Sequence, residues 1–142
     1  MRVDSSCLFC RIVSGELEAV KVFEDDLTLG FLDHRPLFRG HTLIVPREHY
    51  ETLSDLPTSL IDPLFKNVQQ VSKGVEAAME AEGTFVALNN RVSQSVPHLH
   101  VHIVPRRKKD GLKGFFWPRT KYASQDEMLE VREKIMAALL GR

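Results

Sequence analysis

His98-Leu99-His100-Val101-His102-Ile103-Val104 lies between a polar loop and Pro105-Arg106-Arg107. In an extended strand alternate side chains share a face, so the three imidazoles point one way while Leu99, Val101 and Ile103 point into the opposite layer. One strand therefore feeds a core with one face and builds a polar surface with the other. Unpartnered imidazoles are costly to bury, whereas three together can bind a metal, hold an anion or attack an electrophile. A tag or solvated histidine tract has no reason to alternate with branched aliphatics in mid-chain.

Upstream of this strand, residues 84–88 read as another strand and 89–97 as a polar loop. Leu60, Ile61, Leu64, Phe65, Val68, Val71 and Val75 recur at steps of three and four. That spacing predicts a helix over about 58–81, with Pro63 in its first turn or splitting off a lead-in turn, and Gly83 ending it. Residues 41–46 form a third strand. Pro36 and Gly40 prevent the stretch before it from continuing a central strand. Residues 20–24 and 28–33 read as a hairpin around the acidic turn Glu24-Asp25-Asp26, and residues 5–14 as a short helical knuckle ending at Gly15. In the tail, Phe115, Phe116 and Trp117 predict an ordered, irregular segment over 111–122. A last helix over 125–140 is expected to bury Met128, Val131, Ile135 and Leu139, with Ser124 as cap and Glu127 completing a capping box. Five short strands, a long helix between the third and fourth, and no strand–helix alternation give an α+β class, an antiparallel sheet with helices on one side.

The chain has 142 residues, 43% hydrophobic and 27% charged, the profile of one folded soluble domain. Nineteen basic residues balance nineteen acidic ones, so overall charge recruits neither nucleic acid nor an anionic membrane. No stretch approaches the roughly 18–20 apolar residues that cross a bilayer, and no signal core follows Arg2 and Asp4, so the expected location is cytoplasmic. Arg106, Arg107, Lys108 and Lys109 run together after the histidines, as a solvated turn or facing a small phosphorylated ligand. Cys7 and Cys10, in Cys-Leu-Phe-Cys, suit a metal half-site or redox pair better than a structural disulfide, and simple packing stays open.

Two chemistries compete for the strand. Its histidines can hold a catalytic metal with an open position for water, or one can attack phosphorus while its neighbours position it and neutralise charge. Asn89, Asn90, Gln94 and Ser95 favour the second, because neutral amides and a hydroxyl bond phosphate and ribose oxygens without supplying the carboxylates a catalytic metal usually takes. Each also suits a turn or a strand cap.

The run Gln94-Ser95-Val96-Pro97-His98-Leu99-His100-Val101-His102-Ile103-Val104-Pro105-Arg106 resembles the signature of the histidine triad family of nucleotide hydrolases and transferases. Phe31-Leu32-Asp33 and the stretch from Gly40 to His49 resemble the family's upstream strands and turn. The resemblance covers most of residues 5–106 and implies a histidine triad fold with a variable tail from about residue 107. It implies that His100 attacks the α-phosphorus and carries a nucleoside monophosphate, that His102 contacts the phosphate and that His98 orients its neighbours. Asn89 or Asn90, with Ser95, would touch phosphate or ribose; Gln94 would lie near the leaving group and Asp33 would hold the ribose hydroxyls. Implied substrates are nucleoside phosphoramidates, dinucleoside polyphosphates and adenylylated compounds, mostly of adenosine, with AMP the usual product and no organic cofactor.

Members that begin with Cys-x-x-Cys resemble zinc proteins, which here implies one structural zinc per chain on Cys7, Cys10, His49 and His98, a closed two-thiolate, two-imidazole set. The family also implies a homodimer. The chain departs from the usual pattern in a loop before His98 about two residues shorter, in Ser93 where glycine often stands, in Arg91, and in the segment from Gly114 to Arg119, which would shape the pocket mouth, cover the core or meet a partner subunit. Two further readings are a metal-dependent hydrolase using all three histidines and a zinc-stabilised, non-catalytic nucleotide-binding or partner-binding module.

Overall fold

The computed structural model describes residues 2–112 and 119–141, in two compact units, Met1–Asp110 and Gly111–Arg142. The expected segment from Gly114 to Arg119 lies outside the described residues except for Arg119, which is exposed. No described helix is long and apolar enough to cross a membrane.

The first unit is built on strands β1 (Lys21–Glu24), β2 (Thr28–Leu32), β3 (Thr42–Pro46), β4 (Gly83–Ala87) and β5 (Val101–Arg106), with helices α1 (Leu8–Val13) and α2 (Thr58–Ala78) and a 3-10 turn at Leu53–Asp55. All pairings are antiparallel in the order β1-β2-β3-β5-β4. The register places Leu43 of β3 and Ala87 of β4 opposite His102, and Ile44 opposite Val101. Period two then divides the molecule. Ile44, Leu99, Val101 and Ile103 pack with Leu64, Val68 and Val71 of α2 on one face. Leu29, Phe31, Leu43 and Val45 pack with Phe9 and Ile12 of α1 on the other, where His102 lies.

The acidic turn is also a tether. Asp25 Oδ1 accepts the N–H groups of Leu27 and Thr28, and its Oδ2 accepts from Asn67, a buried polar residue within the apolar side of α2. Gly15 closes α1 with φ of 84°, a left-handed position that suits glycine.

Several boundaries differ from expectation. β5 begins at Val101, three residues late: Pro46, at the end of β3, has no N–H, its carbonyl accepts from His98 Nε2, and the Leu99 N–H turns to Tyr50 O. It continues to Arg106 because beyond Ile103 only β4 pairs with it, and one side needs no donor at Pro105. α2 runs straight through Pro63, since Ser59, whose carbonyl loses its donor, is exposed. It stops at Ala78; Glu80, at φ of 51°, makes the turn, and Gly83 opens β4 instead of ending the helix. Ile61 is exposed, outside the buried stripe.

In the second unit, α3 (Gln125–Leu140) has the expected bounds, with Ser124 Oγ accepting the Glu127 N–H at 3.1 Å. The Glu127 carboxylate turns to the Ala123 N–H. The expected burial does not occur. Met128, Ile135 and Leu139 are exposed, Val131 is half-buried, and none of the helix is buried among the described residues.

Candidate functional site

A cavity of about 580 Å³ opens on the α1 side of the sheet. Phe9, Phe31, Leu43, Asp33, Ser95, His100 and His102 are among its lining residues. Phe9 joins two of these residues, edge-on to Phe31 at 5.4 Å and to His100 at 5.1 Å between ring centres.

Backbone carbonyls set the tautomers, because a carbonyl can only accept. His98 Nε2–H donates to Pro46 O at 2.8 Å, which leaves Nδ1 with a lone pair. His100 Nδ1–H donates to His98 O at 2.7 Å, so Nε2 is the nitrogen with a free lone pair. Burial pushes His98 down to about 4 and lowers His100 as well, so both are neutral near pH 7.

His102 is set by a residue that sequence reading missed. His41, 3% exposed and just ahead of β3, accepts the Leu37 N–H on Nδ1 at 3.1 Å. Burial lowers its pKa, so the neutral ring carries its proton on Nε2, 2.9 Å from His102 Nδ1. His102 Nδ1 therefore accepts, and its own Nε2 carries an N–H. Burial, then His100 and His41, hold His102 down to about 4. The only available signal was an imidazole preceding the apolar run Leu43-Ile44-Val45, since the Leu37 contact closes across a loop that spacing does not describe.

Asp33 follows β2 and pairs its backbone N–H with His41 O. Its Oδ1 accepts the Arg35 N–H, while Oδ2 is 3.6 Å from His41 Nε2. Asp33, Ser95, His100 and His102 are thus gathered at the cavity. Asn89, Asn90 and Gln94 are not among its lining residues. Asn89 donates to Ser93 O, Asn90 accepts the Leu53 N–H, and Gln94 bridges Arg91 N and Glu51 O. These amides brace the loop. Arg91 and Ser93 both adopt left-handed backbone, with φ of 69° and 61°, where glycine costs less.

The expected metal ligands meet on the far side of His98. Its Nδ1 is 3.4 Å from Cys7 Sγ and 3.6 Å from Cys10 Sγ, and His49 Nδ1 is 3.4 Å from Cys10 Sγ and 3.3 Å from His98 Nδ1. The N–H of Cys10 points at Cys7 Sγ and that of Asp4 at Cys10 Sγ. Burial pushes the Cys7 thiol up to about 11, against the Cys10 N–H, which favours the thiolate. The four residues can hold a metal ion. A second cluster, Asp33, His41 and His102, is ill suited to one, because His41 Nδ1 is engaged and its Nε2 carries the proton.

The profile of the HIT domain matches residues 14–109, more than half of the chain. The chain belongs to the HIT domain family. It is 36% identical over 112 residues to an adenylylsulfatase of Arabidopsis thaliana, covering 78% of this chain and 57% of that relative's length, less than two thirds of it. It is 30% identical over 145 residues to an adenosine 5'-monophosphoramidase of Candida albicans, across 98% of this chain and 95% of that one. The crystal structure of a zinc-bound histidine triad family protein from Mycobacterium smegmatis is also similar, with 32% identity, a TM-score of 0.72 and coverage of 96% and 98%. The five-stranded sheet with its long helix is thus a HIT fold.

Proposed function

We propose that this HIT protein is a nucleotide hydrolase or transferase that cleaves at the α-phosphate of nucleoside phosphoramidates, adenylylated compounds or dinucleoside polyphosphates. One observation carries the reading: His100 faces the cavity with a neutral ring whose Nδ1–H is held by a carbonyl, so its Nε2 lone pair is aimed outward. Nε2 attacks the α-phosphorus, a P–N bond forms, and the bond to the leaving group breaks with its electron pair, the leaving atom taking a proton from water. The ring becomes cationic, and His98 O stabilises it through Nδ1–H. His102 Nε2–H donates to the phosphate oxygens as charge builds. Water then attacks the phosphorus, gives up a proton to solvent and breaks the P–N bond, so that the nucleoside monophosphate leaves and the His100 ring returns to its neutral form. Phe9 and Phe31 line an apolar slot for the base, Asp33 Oδ2 takes the ribose hydroxyls, and Ser95 bonds phosphate. Asn89, Asn90 and Gln94 act through the loop that carries Ser95.

The metal on Cys7, Cys10, His49 and His98 is assigned as zinc. A tetrahedral centre with about 2.3 Å to sulfur and about 2.0–2.1 Å to nitrogen sets neighbouring nitrogens about 3.3–3.4 Å apart and nitrogen from sulfur about 3.5 Å. The observed donor separations of 3.3, 3.4 and 3.6 Å match that frame. Zinc held by these four residues would supply a closed structural anchor, with no open position for water or substrate. The triad histidines turn to separate partners, which disfavours a hydrolytic metal on all three. The proposal includes a homodimer, because among the described residues β4 lies at one edge of the sheet and α2 exposes Ile61.

Incubation with adenosine 5'-phosphoramidate followed by intact mass measurement tests the reaction. A nucleotidyl adduct on His100, lost with turnover in His100→Asn, is expected. Turnover without an adduct, or a rate that survives His100→Asn, overturns covalent catalysis; binding without turnover leaves a non-catalytic module.

A further inference from the structure

A second cavity, about 440 Å³, adjoins the first and shares Ile12, Leu17, Glu18, Ala19 and Val20 with it, but neither His100, His102 nor Asp33. The shared wall therefore holds none of the triad; it runs from Val20, whose carbonyl accepts the Leu32 N–H one residue before Asp33, to Ile12 and Leu17. Four of its five residues are apolar and the fifth is Glu18, which is exposed. Cations near it in sequence are engaged elsewhere, Arg11 with Glu16 and Lys21 with Glu24. Among the described residues, Glu18 has no hydrogen bond or ion pair. An exposed carboxylate flanked by apolar side chains and without a cation of its own can exchange its waters for the donors of a ligand.

We propose that Glu18 selects the nucleobase and favours guanine over adenine. The inference rests on the nucleotide reading above. With phosphate at His100 and ribose at Asp33, the base enters the slot of Phe9 and Phe31, and its edge farthest from the sugar reaches the shared wall. Guanine presents N1–H and an N2 amine there, two adjacent donors that match the two oxygens of a carboxylate. Adenine presents one donor, the N6 amine, beside the N1 lone pair, which a carboxylate repels. The same charge disfavours reversed binding, with phosphate at the far end.

The test is calorimetric binding of GMP, IMP and AMP to the wild-type chain, Glu18→Gln and Glu18→Ala, beside kcat/KM for guanosine and adenosine 5'-phosphoramidates. The wild type is expected to prefer GMP over AMP by about tenfold or more, with IMP between because it lacks the N2 amine. Glu18→Gln presents one acceptor and one donor, and shifts the GMP:AMP ratio toward AMP by about tenfold or more; Glu18→Ala brings it near unity. A wild-type ratio within about twofold, or a ratio that neither substitution moves, overturns the proposal. A shifting binding ratio without turnover sinks the hydrolytic reading and leaves Glu18 as selector. A His100 adduct with an invariant ratio does the reverse, and no binding of any nucleotide overturns both.

Discussion

Replacing His41 with leucine separates the histidine that sets a tautomer from those that meet substrate. His41 is buried and of similar bulk to leucine, and the Leu37 N–H it releases sits on an exposed residue where water replaces the acceptor. Folding is therefore little disturbed. What changes is His102, which loses its 2.9 Å donor at Nδ1. The proton then divides between the two ring nitrogens, and a population arises with a lone pair aimed at the phosphate oxygens. One hydrogen bond of this kind is worth about 1–2 kcal/mol, which predicts a loss of about 5- to 30-fold in kcat. KM changes less, because Asp33 and the apolar slot remain. His41→Gln is the control, since its amide can accept from Leu37 and donate to His102, and it should retain most of the rate. Steady-state hydrolysis of adenosine 5'-phosphoramidate reads the rate, and 15N NMR of the imidazoles reads the tautomer. A His41→Leu protein with kcat within about twofold of wild type and His102 still protonated on Nε2 refutes the argument; equal losses in both variants assign the effect to shape.

Protein purified without added metal should hold about one zinc per chain, and Cys7→Ala or His49→Ala should lose it together with at least about 3 kcal/mol, roughly 6–12 °C in Tm. Metal-free wild type that melts with the variants removes zinc from the account. His102 is neutral in the fold because burial holds it down to about 4 from 6.5. Its contribution is complete above pH 6.5 and is lost as pH falls toward 4, with a limiting slope of about 1.4 kcal/mol per pH unit, because the unfolded chain takes up the proton first. Urea unfolding across that window should give a shallower pH dependence for His102→Gln, and an unchanged slope contradicts this. Ser93→Gly relieves a left-handed backbone at φ of 61° and should raise stability by about 0.5–1 kcal/mol, partly offset by unfolded-chain entropy. A lower Tm counts against strain at that position.

Properties carried by local periodicity were legible in the chain. The alternation from His98 to Val104 placed Leu99, Val101 and Ile103 in the core, and the spacing of Leu64, Val68 and Val71 placed α2 above them. The ends of elements were less accessible because distant partners set them: β5 starts where Pro46 stops offering a ladder, and α2 stops where Glu80 turns left-handed. The stripe on α3 was legible, whereas its exposure depended on what stands opposite it, which periodicity does not encode. The metal cluster came from resemblance, since residue spacing could not bring Cys7 to His98. Orientation was hidden for the same reason. Gln94 and Asn90 read as substrate donors until Glu51 O and Leu53 N–H were seen to engage them, and the proton on His102 depends on a backbone amide at Leu37.

His98 divides its ring and its carbonyl between two neighbours: Nδ1 faces Cys7, 91 residues back, and the carbonyl steadies His100, two residues on. During synthesis the cysteines emerge first, His49 follows, and the second imidazole, His98, arrives only after four of the five strands. Closing so long a loop is among the slower and entropically costlier events of folding. The carbonyl that orients His100 thus belongs to the residue whose ring closes the longest-range contact of the metal cluster.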